Sequence, residues 1–291
     1  MSPDIRFPHL GIEIASLGKG ITIGGFTIAY YGMIIAFGMV MGYLMALFQA
    51  KRTGQDADLY LDLALWDIVF AVIGARIYYV VFSWDYYGSH PAQILNLRGG
   101  GLAIYGGVIA GVITTFVFAR VKKQNVFRLL DTACAGLLVG QVIGRWGNFC
   151  NREAFGRYTD SLLAMQIKES DVSTSNLTHS VMQHAVEVDG VRYIQVHPTF
   201  LYESLWNLAL LLVILLLTKH RQYDGQLFLI YLLGYGLGRV WIEGLRTDQL
   251  LFFGTSIPVS QMLSGFLVVF SAAVLLYRKV RRSQKPAHGA G

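Results

Sequence analysis

The sequence predicts an all-α polytopic membrane protein of about seven transmembrane helices. Its N-terminus is expected outside, its C-terminus cytoplasmic, with a small external cap that contains a β-hairpin. Three observations carry this. Hydrophobic residues make up 54% of the 291 positions and charged residues only 14%, against about a quarter charged in a soluble domain. Seven apolar runs approach or exceed the ~20 residues that a helix needs to cross ~30 Å of hydrocarbon. Lys and Arg gather in alternate connections between those runs, the pattern that orients membrane helices. Disorder is excluded, and an ordinary soluble enzyme is disfavoured.

Taken in order, residues 1–291 form a single integral membrane domain. The leader carries Pro3, Asp4, Pro8 and Glu13 and no apolar h-region, so no cleavable signal peptide is expected. The first helix then serves as the insertion signal. The runs span 26–48, 59–82, 102–119, 129–148, 199–217, 227–245 and 257–277. The third is short, and glycines interrupt the fourth. Lys51 and Arg52 follow the first run; Arg120, Lys122, Lys123 and Arg128 follow the third; Lys219 and Arg221 follow the fifth. Arg278, Lys279, Arg281, Arg282 and Lys285 follow the last, and together these hold more than half of the 24 basic residues. The opposite side has Arg6, Lys19 and Arg98. The net charge of +6 therefore reflects topology and anionic lipid at the inner surface, and no nucleic-acid partner is called for.

The connection 149–198 is long for a helical bundle and forms the external cap. Around Asp189-Gly190, Val186, Val188, Val191 and Tyr193 alternate with polar residues, which signals a hairpin. The polar stretch from Ser170 to His179 reads as a mobile loop. Gly38 and Gly42, Gly107 and Gly111, and Gly136, Gly140 and Gly144 recur every four residues, a spacing that lets helix backbones approach in lipid. Gly99-Gly100-Gly101 stand apart, at a helix end where a ligand could approach the backbone. Cys134 and Cys150 are ~24 Å apart along one helix, beyond disulfide reach. The His and Cys spacings match no metal pattern, so neither metal nor cofactor is expected.

Three arginines lie within the runs or at their ends: Arg76, Arg145 and Arg239. A charge at mid-bilayer costs at least ~2.5 kcal/mol unless paired or hydrated, which makes each a functional candidate. Counted from the cytoplasmic ends of their helices they lie at ~25, ~24 and ~18 Å, all in the outer half of the membrane. Tyr31, Tyr105, Asn148, His197, Tyr202, Glu203, Glu243 and Arg246 fall at similar depth. Arginine's planar fork suits bidentate binding of phosphate, and a cluster facing the outer leaflet suggests a lipid phosphate. The alternative is that each Arg pairs with a carboxylate and fixes helix packing.

Five blocks carry a resemblance. The longest is Gly144-Arg145-Trp146-Gly147-Asn148-Phe149-Cys150-Asn151-Arg152-Glu153-Ala154-Phe155-Gly156-Arg157. Tyr30-Tyr31-Gly32 and the glycine-rich stretch from Gly99 to Gly107 precede it. His197-Pro198-Thr199-Phe200-Leu201-Tyr202-Glu203 and the stretch from Gly238 to Arg246 follow. In this order they resemble bacterial prolipoprotein diacylglyceryl transferases. The resemblance implies a multi-pass enzyme of the bacterial inner membrane with its site facing the outer leaflet. Its substrates would be phosphatidylglycerol and the lipobox cysteine of a prolipoprotein signal peptide. A thioether forms and glycerol-1-phosphate leaves, the first step of lipoprotein maturation. By position, Arg145 and Arg239 match the family's principal arginines. Tyr31, Asn148, Glu153 and Gly156 match other sensitive positions, and Asp131 keeps the family spacing.

The expected catalytic groups are thus Arg145, Arg239 and Tyr105. The expected substrate-binding groups are Arg145, Tyr31, Asn148, Glu153, Gly156, His197, Glu243 and Arg246. Because the acceptor thiol comes from the substrate, the enzyme needs no nucleophile of its own; it must favour a thiolate and stabilise charge on the departing phosphate. Many family members have His where this chain has Tyr105, and a phenol of pKa ~10 is a poor base at neutral pH. Either no protein base is needed there, or His197 or Glu243 serves. Two other classes remain on residues alone: a transporter or channel for an anionic solute, and a non-catalytic lipid-binding protein.

Overall fold

The computed structural model describes residues 2–97, 100–252, 255 and 257–284. Of the positions singled out above, Arg98, Gly99 and Lys285 lie outside the described residues. Among the described residues there are seven long helices: α1 (Tyr30–Arg52), α2 (Asp58–Phe82), α3 (Ile104–Val121), α4 (Val126–Asn151), α5 (Thr199–Leu217), α6 (Gln226–Glu243) and α7 (Val259–Ser283). Six of them are long and apolar enough to cross a membrane, and between 11% and 44% of their most apolar windows is buried within the protein. Side chains such as Phe37, Val69, Ile113, Leu216 and Val269 point outward, which only a hydrocarbon solvent makes favourable. This is a multi-pass membrane protein. The expected sixth span, 227–245, is a helix over Gln226–Glu243, but Gln226, Gly234, Gly236, Gly238, Arg239 and Glu243 leave α6 short of the hydropathy that the other six reach.

Two small sheets accompany the helices, and one of them contains the expected hairpin. Strands β1 (Ile5–Phe7), β2 (Ile12–Ile14), β5 (Met165–Lys168), β6 (Val186–Val188) and β7 (Val191–Val196) form one antiparallel sheet in the order β2-β1-β5-β7-β6. Its β6–β7 hairpin turns at Asp189-Gly190, where φ is 51° and 74°, the turn the sequence announces. The leader, in which no strand was expected, supplies β1 and β2. A second hairpin, β3 (Gly20–Ile23) with β4 (Phe26–Ala29), turns at Gly24-Gly25. Helix α1 therefore begins at Tyr30 and not at 26: Thr27 and Ile28 are β-branched and pair across the hairpin before the helix can start.

The sheet covers a core of Ile5, Phe155, Met165, Ile167, Val172, Val181, Ile194, Val196 and Phe200. Val172, within the stretch read as a loop, and Val181, just beyond it, lie in that core, and the stretch contains a turn of 3-10 helix at Thr174–Asn176. Asp4 ties the leader in place. Its carboxylate accepts from Lys168 Nζ (2.8 Å), the Leu17 amide (2.9 Å) and Arg152 Nη2 (3.0 Å). Arg152 is buried and also pairs with Asp171 at 3.2 Å. Burial alone would raise the Asp4 pKa, but Lys168, the Leu17 amide and Arg152 together hold it below the usual carboxylate value. Asp4 therefore contributes stability that is full above its unfolded pKa and is lost as the pH falls through the lowered folded value. Asp4→Ala is expected to loosen the leader by about 3 kcal/mol, because it leaves buried Arg152 short of a partner. Hydrogen exchange at Ile5–Phe7 measures this, and unchanged protection would refute it.

By compactness the chain falls into two units: the stretch up to Gly42 together with that from Cys134 onward, and Tyr43–Ala133. Within the first, a Cβ on Gly42 would lie 2.7 Å from the Gly136 carbonyl, and one on Gly38 would lie 3.4 Å from that of Gly140. The four-residue glycine spacing is thus a backbone crossing of α1 on α4. In the second unit the crossing of α2 on α3 uses Gly74 and Gly106, whereas Gly111 has nothing within 4 Å.

Candidate active site

Arg76 shows what a structural arginine looks like here. It is 7% exposed, and Nε donates to Ile94 O (2.7 Å), Nη1 to Gly100 O and Gly101 O (2.8 and 2.9 Å), and Nη2 to Gln93 O and Asn96 O (2.6 and 3.1 Å). These five bonds use all five of its N–H donors. The group that approaches the Gly100-Gly101 backbone is thus Arg76 itself, and the phosphate-binding reading does not extend to it. Tyr105 is the second residue of α3 and belongs, with Arg76, to the Tyr43–Ala133 unit.

Arg145 and Arg239 are different. Arg145 lies near the end of α4 and Arg239 near the end of α6, and both meet Glu203, one turn into α5. Arg145 Nη2 is 2.6 Å from Glu203 Oε2, and Arg239 Nη1 donates to Oε1 and Oε2 at 3.0 and 3.1 Å. Arg246 Nη1 stands 3.9 Å from Oε1. The close approach of α6 to α5 rests on small residues: Gly238 lies against the Trp206 indole, and Trp206 Nε1 donates to Gly234 O at 2.8 Å. Glu243 supports Arg239 from one turn along α6, 2.6 Å from Nη2. Asp248 holds Arg246 in a two-pronged pair at 2.9 and 2.8 Å. The Glu203 and Glu243 side chains are 5% and 4% exposed, those of Arg145 and Arg239 19% and 15%. Both principal arginines keep N–H donors beyond these contacts.

A second chain of contacts runs from Arg145 toward the cap. Arg145 Nη1 faces Asn148 Oδ1 at 3.5 Å, and Asn148 Nδ2 donates to Glu153 Oε1 at 2.9 Å. The Tyr31 ring crosses Gly147, where a Cβ would come within 2.9 Å of it, and lies within electrostatic reach of Glu153 and Arg145. Beyond Asn151 the backbone turns sharply, with left-handed Arg152 and Ala154, both at φ 55°. Residues 155–157 then run between two other segments. The Gly156 amide donates to His197 O (3.0 Å), the Arg157 amide to Leu245 O (2.8 Å) and the His197 amide to Arg157 O (3.0 Å). His197 thus serves the site partly through its backbone. Its Nδ1 is 3.2 Å from the Tyr202 hydroxyl. Burial, and then the charge of Arg157, hold its pKa below the ordinary imidazole value, which favours the neutral ring.

Arg145, Arg239, Glu243, Arg246, Tyr31, Asn148, Glu153, Gly156 and His197 all belong to the unit built around α4, α5 and α6. Glu203 and Asp248 complete the cluster; the sequence places Glu203 at this depth without giving it a role, and it does not point to Asp248. Residues 19–277 match the sequence profile of the family described as Prolipoprotein diacylglyceryl transferase. The chain belongs to this family. It is similar to the phosphatidylglycerol–prolipoprotein diacylglyceryl transferase of Listeria monocytogenes serotype 4a, 38% identical over 261 residues, covering 90% of this chain and 89% of that protein. The transferase of the same name from Bacillus licheniformis is 39% identical over 259 residues (89% and 91%). That from Clostridioides difficile is 43% identical over 230 residues (79% and 83%). Family membership makes this a transferase of lipoprotein biosynthesis and displaces the transporter and lipid-binding alternatives.

Proposed function

We propose that this chain moves the diacylglyceryl group of phosphatidylglycerol onto the lipobox cysteine of a prolipoprotein signal peptide. The setting is the outer leaflet of the bacterial cytoplasmic membrane, with α6 as a seventh span, the N-terminus outside and the C-terminus inside. The observation that carries the reading is the convergence of Arg145 and Arg239, from two helices, on one point. Two guanidinium forks aimed at a shared site fit a phosphodiester better than they fit any neutral ligand. In the reaction the cysteine sulfur bonds to the terminal glyceryl carbon, that carbon's bond to the phosphate oxygen breaks, and the thiol proton passes to an acceptor. Glycerol-1-phosphate leaves with one more negative charge than its share of the lipid carried, and Arg145 and Arg239 stabilise that charge as it develops.

Asn148 and Glu153 keep Arg145 oriented, and Tyr31 positions the glycerol. Of the candidate proton acceptors, Glu243 is committed to Arg239, whereas burial favours the neutral form of His197 that an acceptor needs. The test uses purified protein in detergent with phosphatidylglycerol and a lipobox peptide, wild type beside Arg145→Ala. The expected result is a diacylglyceryl mass addition and released glycerol phosphate with wild type, and a drop of at least about 100-fold in the variant. Absence of both products with wild type, under conditions where a known family enzyme works, would overturn the reading.

A further inference from the structure

We infer that Glu203 occupies the phosphate seat of the resting enzyme and that substrate must displace it, so that this carboxylate times lipid entry and product release. The inference rests on the function proposed above. Glu203 is the group on which Arg145 and Arg239 both close, at 2.6, 3.0 and 3.1 Å. A carboxylate between two guanidinium groups takes the donors that a phosphate's oxygens would take, so the two compete for one place.

Glu243 is differently disposed. It contacts Arg239 from the same helix, one turn along, and reaches Arg246 only at 4.0 Å, so it backs the arginine without blocking its approach to Arg145. Charge balance points the same way. Arg145, Arg239 and Arg246 are matched by Glu203, Glu243 and Asp248, a neutral cluster with no surplus for a phosphodiester while Glu203 keeps its place. Moving Glu203 off the forks leaves two guanidinium groups for the incoming phosphate. Its return after the carbon–oxygen bond breaks competes with bound glycerol-1-phosphate and speeds release. Glu203 is a positioning residue in this scheme, since it acts on the reaction through the arginines.

A seat filled by the protein's own carboxylate weakens the apparent affinity of a ligand by the fraction of molecules in which the seat is open. Glu203→Gln removes the competing charge. With the seat open in roughly one molecule in ten, the variant should bind glycerol-1-phosphate about tenfold more tightly. Its KM for phosphatidylglycerol should fall, and its kcat should fall with it, because product leaves slowly. Calorimetry with glycerol-1-phosphate reads the affinity whether or not transfer is observed, and steady-state kinetics with a lipobox peptide reads the split between KM and kcat. Glu203→Asp, whose shorter carboxylate cannot span both arginines, should tighten binding in the same direction. Weaker or unchanged glycerol-1-phosphate binding in both variants would overturn the inference and leave Glu203 as a strut that merely holds the arginines. A wild-type enzyme that makes no thioether would instead remove the transferase reading, and the seat's role in turnover with it.

Discussion

Arg145→Lys and Arg239→Lys are each expected to lower diacylglyceryl transfer by at least about 100-fold, some 2.7 kcal/mol of transition-state stabilisation, while leaving the protein folded. Lysine keeps the charge, so the ionic contact with Glu203 survives in part and the helix ends stay together. What it loses is the fork. Arg239 now spans both Glu203 oxygens with one nitrogen and reaches Glu243 with another, and an ammonium group cannot hold those contacts with the same fixed geometry. Near-normal turnover in both lysine variants, measured by mass on the peptide cysteine, would show that charge alone suffices and would sink the bidentate assignment. A melting curve in detergent separates a lost fold from a lost fork.

The arginines were legible because a charge within an apolar run is costly, and that rule applies to any side chain without a structure in hand. It separated Arg145 and Arg239 from the background but could not separate them from Arg76, since five backbone carbonyls satisfy a buried guanidinium as well as a ligand does. Those carbonyls come from residues 93–101, and no periodicity reveals where a loop's oxygens will point. Glu203 was visible too: a carboxylate at the start of an apolar helix is as anomalous as an arginine, and applying the same rule to acids would have placed it at the centre. Asp248 offered no such signal, since it lies beyond the helix in a polar connection. The leader's two strands were missed because three-residue strands carry too little alternation to read, and their partner β5 is about 160 residues away. The hairpin at Asp189-Gly190 was read correctly because its turn chemistry is local.

Gly156→Ala is expected to cut transfer by about 100-fold even though the residue offers no side chain to any ligand. A Cβ there would lie 2.7 Å from His197 Cβ, 3.0 Å from Leu245 O and 3.2 Å from Thr199 Cγ2. Two of these belong to or adjoin the backbone, so no flexible side-chain tip can swing away; the chain itself must shift, at a cost of about 1–3 kcal/mol. The shift falls where the site is sewn together, since residues 155–157 bond on one side to His197, six positions before Glu203, and on the other to Leu245, beside Arg246. Displacing these strands by about 1 Å moves the groups that must meet the phosphate, and misplacement of that size costs about 100-fold. Gly111→Ala, where nothing lies within 4 Å, is the matched control and should leave transfer unchanged. Full activity in Gly156→Ala would mean that the junction yields without moving α5 or Arg246, and would refute the prediction.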